Sequence, residues 1–389
     1  AFCLICFRFI VVAAYLLVII LFGFVIFIFF LVYTTSAFVS GGKLFQVVFN
    51  IDSSNETYAK AAVIISALII IIYTFLGGFN AVAWTDLVQG LLMFFTIVAL
   101  PIALITATPD FSWEMVTSTP KIVAEGADAS GYASLVSGRG ANSIISDLAW
   151  ALGYFGMPHI LVRFMAIKDA KSVKKSAIIA IVWVIISLGA AVLIGILGRV
   201  YLDSIGVTLT GNQQELIFID VVKRLFVFLS AVLASIMSTA DSQLLVTASA
   251  VVNDFYKVIV KKETSDKKLM WISRGAVMVI SVIACILALD PKDSIMGIVS
   301  NAWAGFGAAF GPAIILSLYW RRLTLKGTVA GIIGGAATVI VWEYVLHWSG
   351  MLYSIVPGFI VSILLTVIVS LIDKEPSDEV KALFDEARK

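Results

Sequence analysis

Charged side chains are scarce in this sequence. Only 13% of its 389 residues are charged, whereas 61% are hydrophobic. A soluble domain carries about 25% charged residues, so the composition excludes an ordinary soluble protein. The charges sum to +2 and form no basic stripe outside the loops, which argues against a nucleic-acid partner.

Cysteine, histidine and the usual catalytic motifs are also rare or absent. Cys3 and Cys6 form a C-x-x-C inside an apolar run, and His159 and His347 lie far apart, so no disulfide framework or metal-ligand spacing is present. The sequence contains no H-E-x-x-H, no G-x-S-x-G, no T-V-G-Y-G-like filter and no ATP-binding motif. An intramembrane enzyme and an ion channel are therefore the weaker alternatives from other functional classes.

Long apolar runs dominate what is present. Runs of about 20 apolar residues recur, each long enough to cross a hydrocarbon core of about 30 Å. Because backbone polar groups in lipid must be satisfied within the segment, these runs predict helices, and their lack of alternation excludes a barrel. The sequence predicts ten spans, near residues 15–42, 61–78, 84–106, 143–166, 177–200, 227–255, 269–289, 295–320, 327–346 and 351–372.

Basic residues in the short loops predict the orientation. They follow the fourth, sixth and eighth predicted spans, so all three loops can be cytoplasmic together, as lysine and arginine prefer. The polar stretches 107–142 and 202–222 then lie outside, and the tail 373–389 lies inside as a short amphipathic helix. The loop cations are Lys168, Lys171, Lys174, Lys175, Lys257, Lys261, Lys262, Lys267, Lys268, Arg321, Arg322 and Lys326.

The sixth predicted span carries a stripe of hydroxyl groups. Ser235, Ser238, Thr239 and Ser242 are spaced i, i+3, i+4 and i+7, which puts them on one helical face, with Asp241 at its edge. Hard oxygen ligands suit a small hard cation. The alternative is that these hydroxyls join helices or bond to their own backbone.

The fourth predicted span combines aromatic residues with helix breakers. Trp150, Tyr154 and Pro158 recur at every fourth residue and share a face, while Gly153 and Gly156 weaken the helix in mid-membrane. Broken helices expose backbone groups that bind ions and substrates in transporters. A proline kink with an aromatic packing stripe is the alternative.

Two further stretches have polar or glycine-rich patterns inside the membrane. Asp86 starts the third span, where it can also be a favourable anion at a helix start. In the eighth span the glycines from Gly305 to Gly311, followed by Pro312, fit close helix packing nearly as well as a hinge or a site.

At these residues the sequence resembles the solute:sodium symporter family, and within it the bacterial sodium/proline symporters. The resemblance runs in order from about residue 24 to the end of the chain. The matching stretches are Gly77-Gly78 with Trp84-Thr85-Asp86, residues 153–156 with 158–161 and 163–165, residues 237–239 with 243–245, and residues 303–312.

The fold implied by this resemblance is an all-α polytopic membrane protein with the inverted-repeat LeuT architecture. Within one domain spanning 1–389, residues 15–142 would be the remainder of the first repeat and 143–320 the second, followed by two extra spans in 327–372. The broken first helix of the first repeat is expected to be missing, since the sequence opens without a Met and with a long apolar run. A second gap is expected near Phe226-Val227.

The resemblance also implies roles for individual residues. Trp150, Tyr154 and Pro158 match substrate-binding positions. Ser238, Thr239 and the carbonyl of Ser235 match a sodium site. A second sodium position would involve Asp86, Asp241 and Ser242, and the competing role for Asp86 is an inner gate with Arg163.

The expected activity is sodium-driven symport of proline across the bacterial cytoplasmic membrane by alternating access. The partners would be the solute, Na⁺ and the lipid bilayer. Ala151 and Met157 stand where proline symporters usually show glycine and glutamine, and Asp147 is an unexpected acid. Another small amino acid or organic solute is therefore the alternative substrate.

Overall fold

The computed structural model describes residues 2–52, 55–77, 79–118, 139–165, 167, 169–207, 215–225, 229–260, 264–291 and 293–387. Almost all of these residues are helical. Four residues used above, Gly78, Lys168, Lys261 and Lys262, lie outside the described residues, as does the expected gap near Phe226-Val227.

The chain begins with three long helices and one short helix. They are α1 (Phe2–Val48), α2 (Glu56–Gly77) and α3 (Phe79–Ala107), followed by the short helix α4 (Trp113–Thr117). Of these, α1 is the central one, because it packs against α2 and against several helices that come later in the chain.

The next span is broken in the middle. Its two halves are α5 (Ala141–Gly153) and α6 (Pro158–Met165), joined through a 3₁₀ turn at Tyr154–Gly156. The predicted break in the fourth span is therefore present. The helices that follow are α7 (Ala170–Ser204), the short α8 (Ile217–Arg224) and α9 (Leu229–Ala250), which continues through a π-helical turn into α10 (Lys257–Val260).

The remaining helices are α11 (Asp266–Ala288), α12 (Ile295–Tyr319), α13 (Leu325–Ile340), α14 (Ile355–Ile372) and the tail helix α15 (Asp378–Ala387). Polar side chains start three of the long helices. Asp169, Ser294 and Thr324 each precede a helix and accept a hydrogen bond from an amide of its first turn. Such caps satisfy amides that have no partner within the helix.

Nine helices among the described residues are long and apolar enough to cross a membrane. The fourth predicted span is not one of them because the break divides it into two short halves. The last predicted span also differs, since its helix starts at Ile355 rather than near 351. The preceding loop makes a turn in which His347 takes a left-handed conformation with φ 54°.

Glycines allow α12 to pack closely against its neighbours. A Cβ at Gly307 would lie 2.8 Å from the Cα of Gly153, and one at Gly335 would lie 2.3 Å from the Ala308 carbonyl oxygen. The helix continues without a break through Pro312 to Tyr319. The glycine-rich eighth span is therefore a close-packed helix, as small residues favour in membranes.

Candidate functional site

The break between α5 and α6 arises from glycines pressed against α12 and from a proline at a helix start. A Cβ at Gly153 would lie 1.8 Å from the indole nitrogen of Trp303, and one at Gly156 would lie 2.2 Å from the Phe306 carbonyl oxygen. Pro158 begins α6, where its missing N–H costs no hydrogen bond. The local sequence thus breaks the helix and holds the break against α12.

The predicted solute-binding aromatic residues lie in the last turn of α5 and in the 3₁₀ turn that follows it. The Trp150 ring stacks on Tyr353 with centroids 5.5 Å apart, and it lies 5.9 Å from the Trp303 ring. The Tyr154 ring meets Trp303 edge to face at 5.0 Å. These residues form an aromatic cluster that joins the broken helix, α12 and the loop just before α14.

A cavity of about 570 Å³ lies beside α6, the second half of the broken helix. It is lined mostly by apolar side chains of α3, α6, α9 and α12. The polar residues among its lining are Asp86, His159, Arg163, Ser242, Ser249 and Asn253, and Pro158 also contributes.

A second cavity of about 690 Å³ shares a wall with the first. Asp86, His159, Arg163 and Ser242 line both cavities, so these four residues separate them. The second cavity also includes Tyr33, Ser238, Thr239, Gln243 and Trp183. Of the three predicted solute-binding residues, only Pro158 appears among the described residues that line these two cavities.

The three residues predicted to bind sodium share one turn of α9. The Ser238 hydroxyl donates to the Ser235 carbonyl at 3.2 Å, and the Thr239 hydroxyl donates to the same oxygen at 2.9 Å. The bonds to the helix's own backbone are therefore present. The Ser238 and Thr239 hydroxyl oxygens each keep lone pairs after donating, and both residues line the second cavity. The Ser235 carbonyl accepts from both hydroxyls, so it becomes available to a cation only when these hydroxyls turn away from it. The three oxygens can then form part of a sodium shell.

Arg163 joins α6 to both α3 and α9. Its guanidinium donates to the Asp86 carboxylate at 2.9 Å and to the Ser242 hydroxyl at 2.8 Å. The Asp86 side chain is 14% exposed and that of Arg163 is 59% exposed. The structure therefore brings together the acid and the arginine of the predicted gate, and places Ser242 with them.

Asp241 is set apart from this contact. It is completely buried, and neither of its carboxylate oxygens accepts a well-formed hydrogen bond from the described part of the chain. The Tyr73 hydroxyl and the Ser242 amide approach it, and Asp86 is close enough for the two carboxylates to interact. A charged carboxylate in such a place needs a cation or a proton, because an uncompensated buried charge is costly.

Several residues of the site were not predicted. Ser249 and Asn253 follow Ser242 at seven and eleven positions, so they extend the polar face of α9 into the π-helical turn and could have been found from the same periodicity. Tyr33 lies within an apolar run, and Tyr353 comes from a distant span. Neither tyrosine carries a local signal of its role.

Comparisons with known proteins agree with this architecture. The family model described as "Sodium:solute symporter family" matches residues 11–335. The osmoregulated proline transporter OpuE of Bacillus subtilis is 44% identical over 371 residues, which cover 92% of this chain and 72% of that protein. The sodium/proline symporter of Escherichia coli is 40% identical, covering 93% of this chain and 71% of its own length.

A solved structure shares the fold. It is described as the substrate-bound outward-open state of a Na⁺-coupled sialic acid symporter that reveals a novel Na⁺ site. It superposes with a TM-score of 0.67 at 17% identity, covering 91% of this chain and 75% of that one. The likeness establishes the LeuT-like inverted-repeat fold predicted for this chain.

Proposed function

This chain belongs to the sodium:solute symporter family, and we propose that it carries proline across a bacterial cytoplasmic membrane together with sodium. Relatives at 40–44% identity are named as proline transporters or as a sodium/proline symporter. One structural observation carries the proposal. A broken helix and a hydroxyl-bearing turn of α9 face each other across one cavity. The family and the names of its members point to transport rather than enzymatic chemistry.

Sodium is proposed to bind at the turn that holds Ser235, Ser238 and Thr239. All three oxygen ligands are neutral, which suits a monovalent cation that must be released again in each transport cycle. The Ser235 carbonyl accepts both hydroxyls in this structure, so a bound sodium would replace their hydrogens on this oxygen while the hydroxyl oxygens turn toward the cation. Oxygens from outside this turn must complete the coordination.

The solute is proposed to lie against Trp150, Tyr154 and Pro158. Aromatic rings suit the apolar ring of proline, and the Tyr154 hydroxyl can donate a hydrogen bond to its carboxylate. The start of α6 at Pro158 adds the positive end of a helix dipole, which favours an anionic group.

Asp86 and Arg163 are proposed to form an inner gate. Their ion pair crosses from α3 to α6 in the wall between the two cavities, so opening the wall requires the pair to separate. More than half of the Arg163 side chain is exposed, so the pair is weak enough to break during each cycle.

A second sodium position at Asp86, Asp241 and Ser242 is the second candidate role for these residues. It is favoured by the buried Asp241, whose two carboxylate oxygens lack well-formed hydrogen bonds from the described residues. Arg163 holds Asp86 and Ser242 in this structure, so a cation there would have to replace the guanidinium. The gate explains the observed contacts better.

Transport would proceed by alternating access. Sodium binds from outside and favours the outward-open state, the solute enters, and both are released inside. The two ligands strengthen each other's binding by the same factor, since equilibrium coupling is reciprocal. Residues 15–142 and 143–320 would form the two repeats, with the C-terminal tail in the cytoplasm, where the loop lysines and arginines also lie.

Uptake by the purified protein in liposomes tests this function. Labelled proline should accumulate under an inward sodium gradient but not under an equal potassium gradient. Unlabelled proline should compete more strongly than other small amino acids. Accumulation that is indifferent to sodium would contradict the sodium coupling, and stronger competition by another solute would contradict the choice of proline.

A further inference from the structure

We propose that Trp303 and Tyr353 are positioning residues that hold α5 in the shape in which Trp150 and Tyr154 meet the solute. The proposal rests on the function given above for the role of those two rings. It adds to the site Trp303 from α12 and Tyr353 from the loop just before α14.

Trp303 contacts the broken helix at three points. Its indole N–H donates to the Trp150 carbonyl at 3.0 Å, in the last turn before the chain changes to a 3₁₀ turn. Its ring meets the Tyr154 ring edge to face at 5.0 Å and lies 5.9 Å from the Trp150 ring. One buried side chain thus touches both proposed solute-binding rings and the backbone between them.

Gly153 makes this contact possible. A Cβ at that position would lie 1.8 Å from the Trp303 indole nitrogen. The indole therefore lies directly on the backbone of α5, where a side chain at position 153 would displace it. Gly153 therefore both weakens the helix and leaves the space that the Trp303 indole occupies.

Tyr353 supports Trp150 from another side. Its ring stacks on the Trp150 ring at 5.5 Å with an angle of 27° between the planes. Its hydroxyl donates to the Ser300 carbonyl at 2.7 Å, and its backbone amide donates to the Ser146 hydroxyl at 3.0 Å. Tyr353 therefore ties α5 to α12 through two hydrogen bonds as well as through its ring.

If Trp303 and Tyr353 served only to pack the core, their substitution would have different effects. For packing, the ring matters and the polar atoms do not, so phenylalanine should replace Tyr353 without loss of solute affinity. Positioning through hydrogen bonds makes the indole N–H and the tyrosine hydroxyl necessary. Tyr353→Phe separates the two accounts because it keeps the ring and removes only the donor. Trp303→Phe removes the donor together with part of the ring, so it is compared with a second tryptophan-to-phenylalanine substitution that loses the same ring area.

Trp303→Phe is the first test. The half-saturating proline concentration should rise about five- to tenfold, as expected for losing one buried hydrogen bond, while the maximal uptake rate is largely kept. Trp271→Phe is the control for the loss of indole area, because the Trp271 ring contacts Phe75 and Arg274, away from the break. Its half-saturation should match wild type. Tyr353→Phe should raise the value about two- to threefold, and Tyr353→Leu should raise it further.

Hydrogen exchange gives a readout that does not depend on the solute. In the ligand-free protein, the peptide covering residues 150–157 should exchange faster in Trp303→Phe than in wild type or Trp271→Phe. Unchanged exchange in this peptide, in a protein that is folded and expressed, would overturn the proposal. If wild type failed to take up proline, the proposed function would fall, whereas the exchange result would still decide the role of Trp303.

Discussion

The two halves of the broken helix are held in different ways. The first half, α5, is tied to α12 and to the residue just before α14 by an indole hydrogen bond and by stacked rings around Trp150. The second half, α6, faces two cavities, and its side-chain hydrogen bonds to other described helices are those of Arg163 to α3 and α9. The His159 ring of α6 also packs against Phe30 and Tyr33 of α1. The first half is therefore part of a packed body, whereas the second half depends in part on an ion pair with an exposed arginine.

This difference indicates where the molecule can move. A packed aromatic contact has few alternative arrangements, whereas a partly exposed ion pair contributes about 0 to 1 kcal/mol and separates easily. We therefore expect the proposed solute-binding surface of α5 to keep its shape while α6 moves at the wall between the two cavities.

The largest effect is expected at the point where the break touches α12. Gly156→Ala should lower uptake more than tenfold, because the new Cβ would lie 2.2 Å from the Phe306 carbonyl oxygen. The backbones of the 3₁₀ turn and of α12 would then have to move apart. Gly189→Ala is the control, since no described atom lies within 4 Å of a Cβ there. Initial uptake rates, normalised to the amount of folded protein, provide the measurement. Wild-type uptake by Gly156→Ala would show that the break is not held as described.

The next largest effect concerns sodium. Ser238→Ala and Thr239→Ala should each raise the half-saturating sodium concentration about tenfold, because each removes one oxygen from a site with few ligands. Ser317→Ala is a matched control, since this exposed α12 residue also donates to its own backbone, at 2.7 Å to the Ile314 carbonyl. Sodium activation curves of proline uptake give the values. An unchanged half-saturating sodium concentration in both α9 variants would contradict the proposal that sodium binds at this turn.

Trp150→Ala and Tyr154→Ala should weaken solute binding and leave sodium binding intact. Each removes a ring from the proposed solute surface, with an expected loss of affinity of about tenfold. Phe155→Ala is the control, because its side chain is as exposed as that of Tyr154, at 47%, and it is the neighbouring residue. Binding of labelled proline with wild-type affinity in both aromatic variants would show that these rings serve for packing and do not bind the solute.

The sequence predicted the elements of this site better than their contacts. Apolar runs indicated the spans, and Gly153, Gly156 and Pro158 indicated the break, because both signals depend only on neighbouring residues. The stacking of Tyr353 on Trp150 joins residues about two hundred positions apart, which no local pattern encodes. Asp241 was placed at the edge of the hydroxyl face, but its complete burial depends on how α3 packs against α9.

The smallest effect distinguishes the gate from a second sodium position. If Asp86 and Arg163 form a gate, Asp86→Asn should change the turnover rate two- to fivefold and leave the Hill coefficient for sodium unchanged. If Asp86, Asp241 and Ser242 bind a second sodium, wild type should show a Hill coefficient above one, which falls toward one in Asp241→Ala. A coefficient of one in the intact protein would exclude the second sodium position.

The coupling of the two fluxes tests the central claim most directly. Entry of labelled sodium and labelled proline is measured in the same liposomes, with each ligand present or absent. Proline should stimulate sodium entry, sodium should stimulate proline entry, and Thr239→Ala should weaken both at low sodium. Sodium entry of equal size without proline would identify a channel, and proline entry of equal size without sodium would contradict symport.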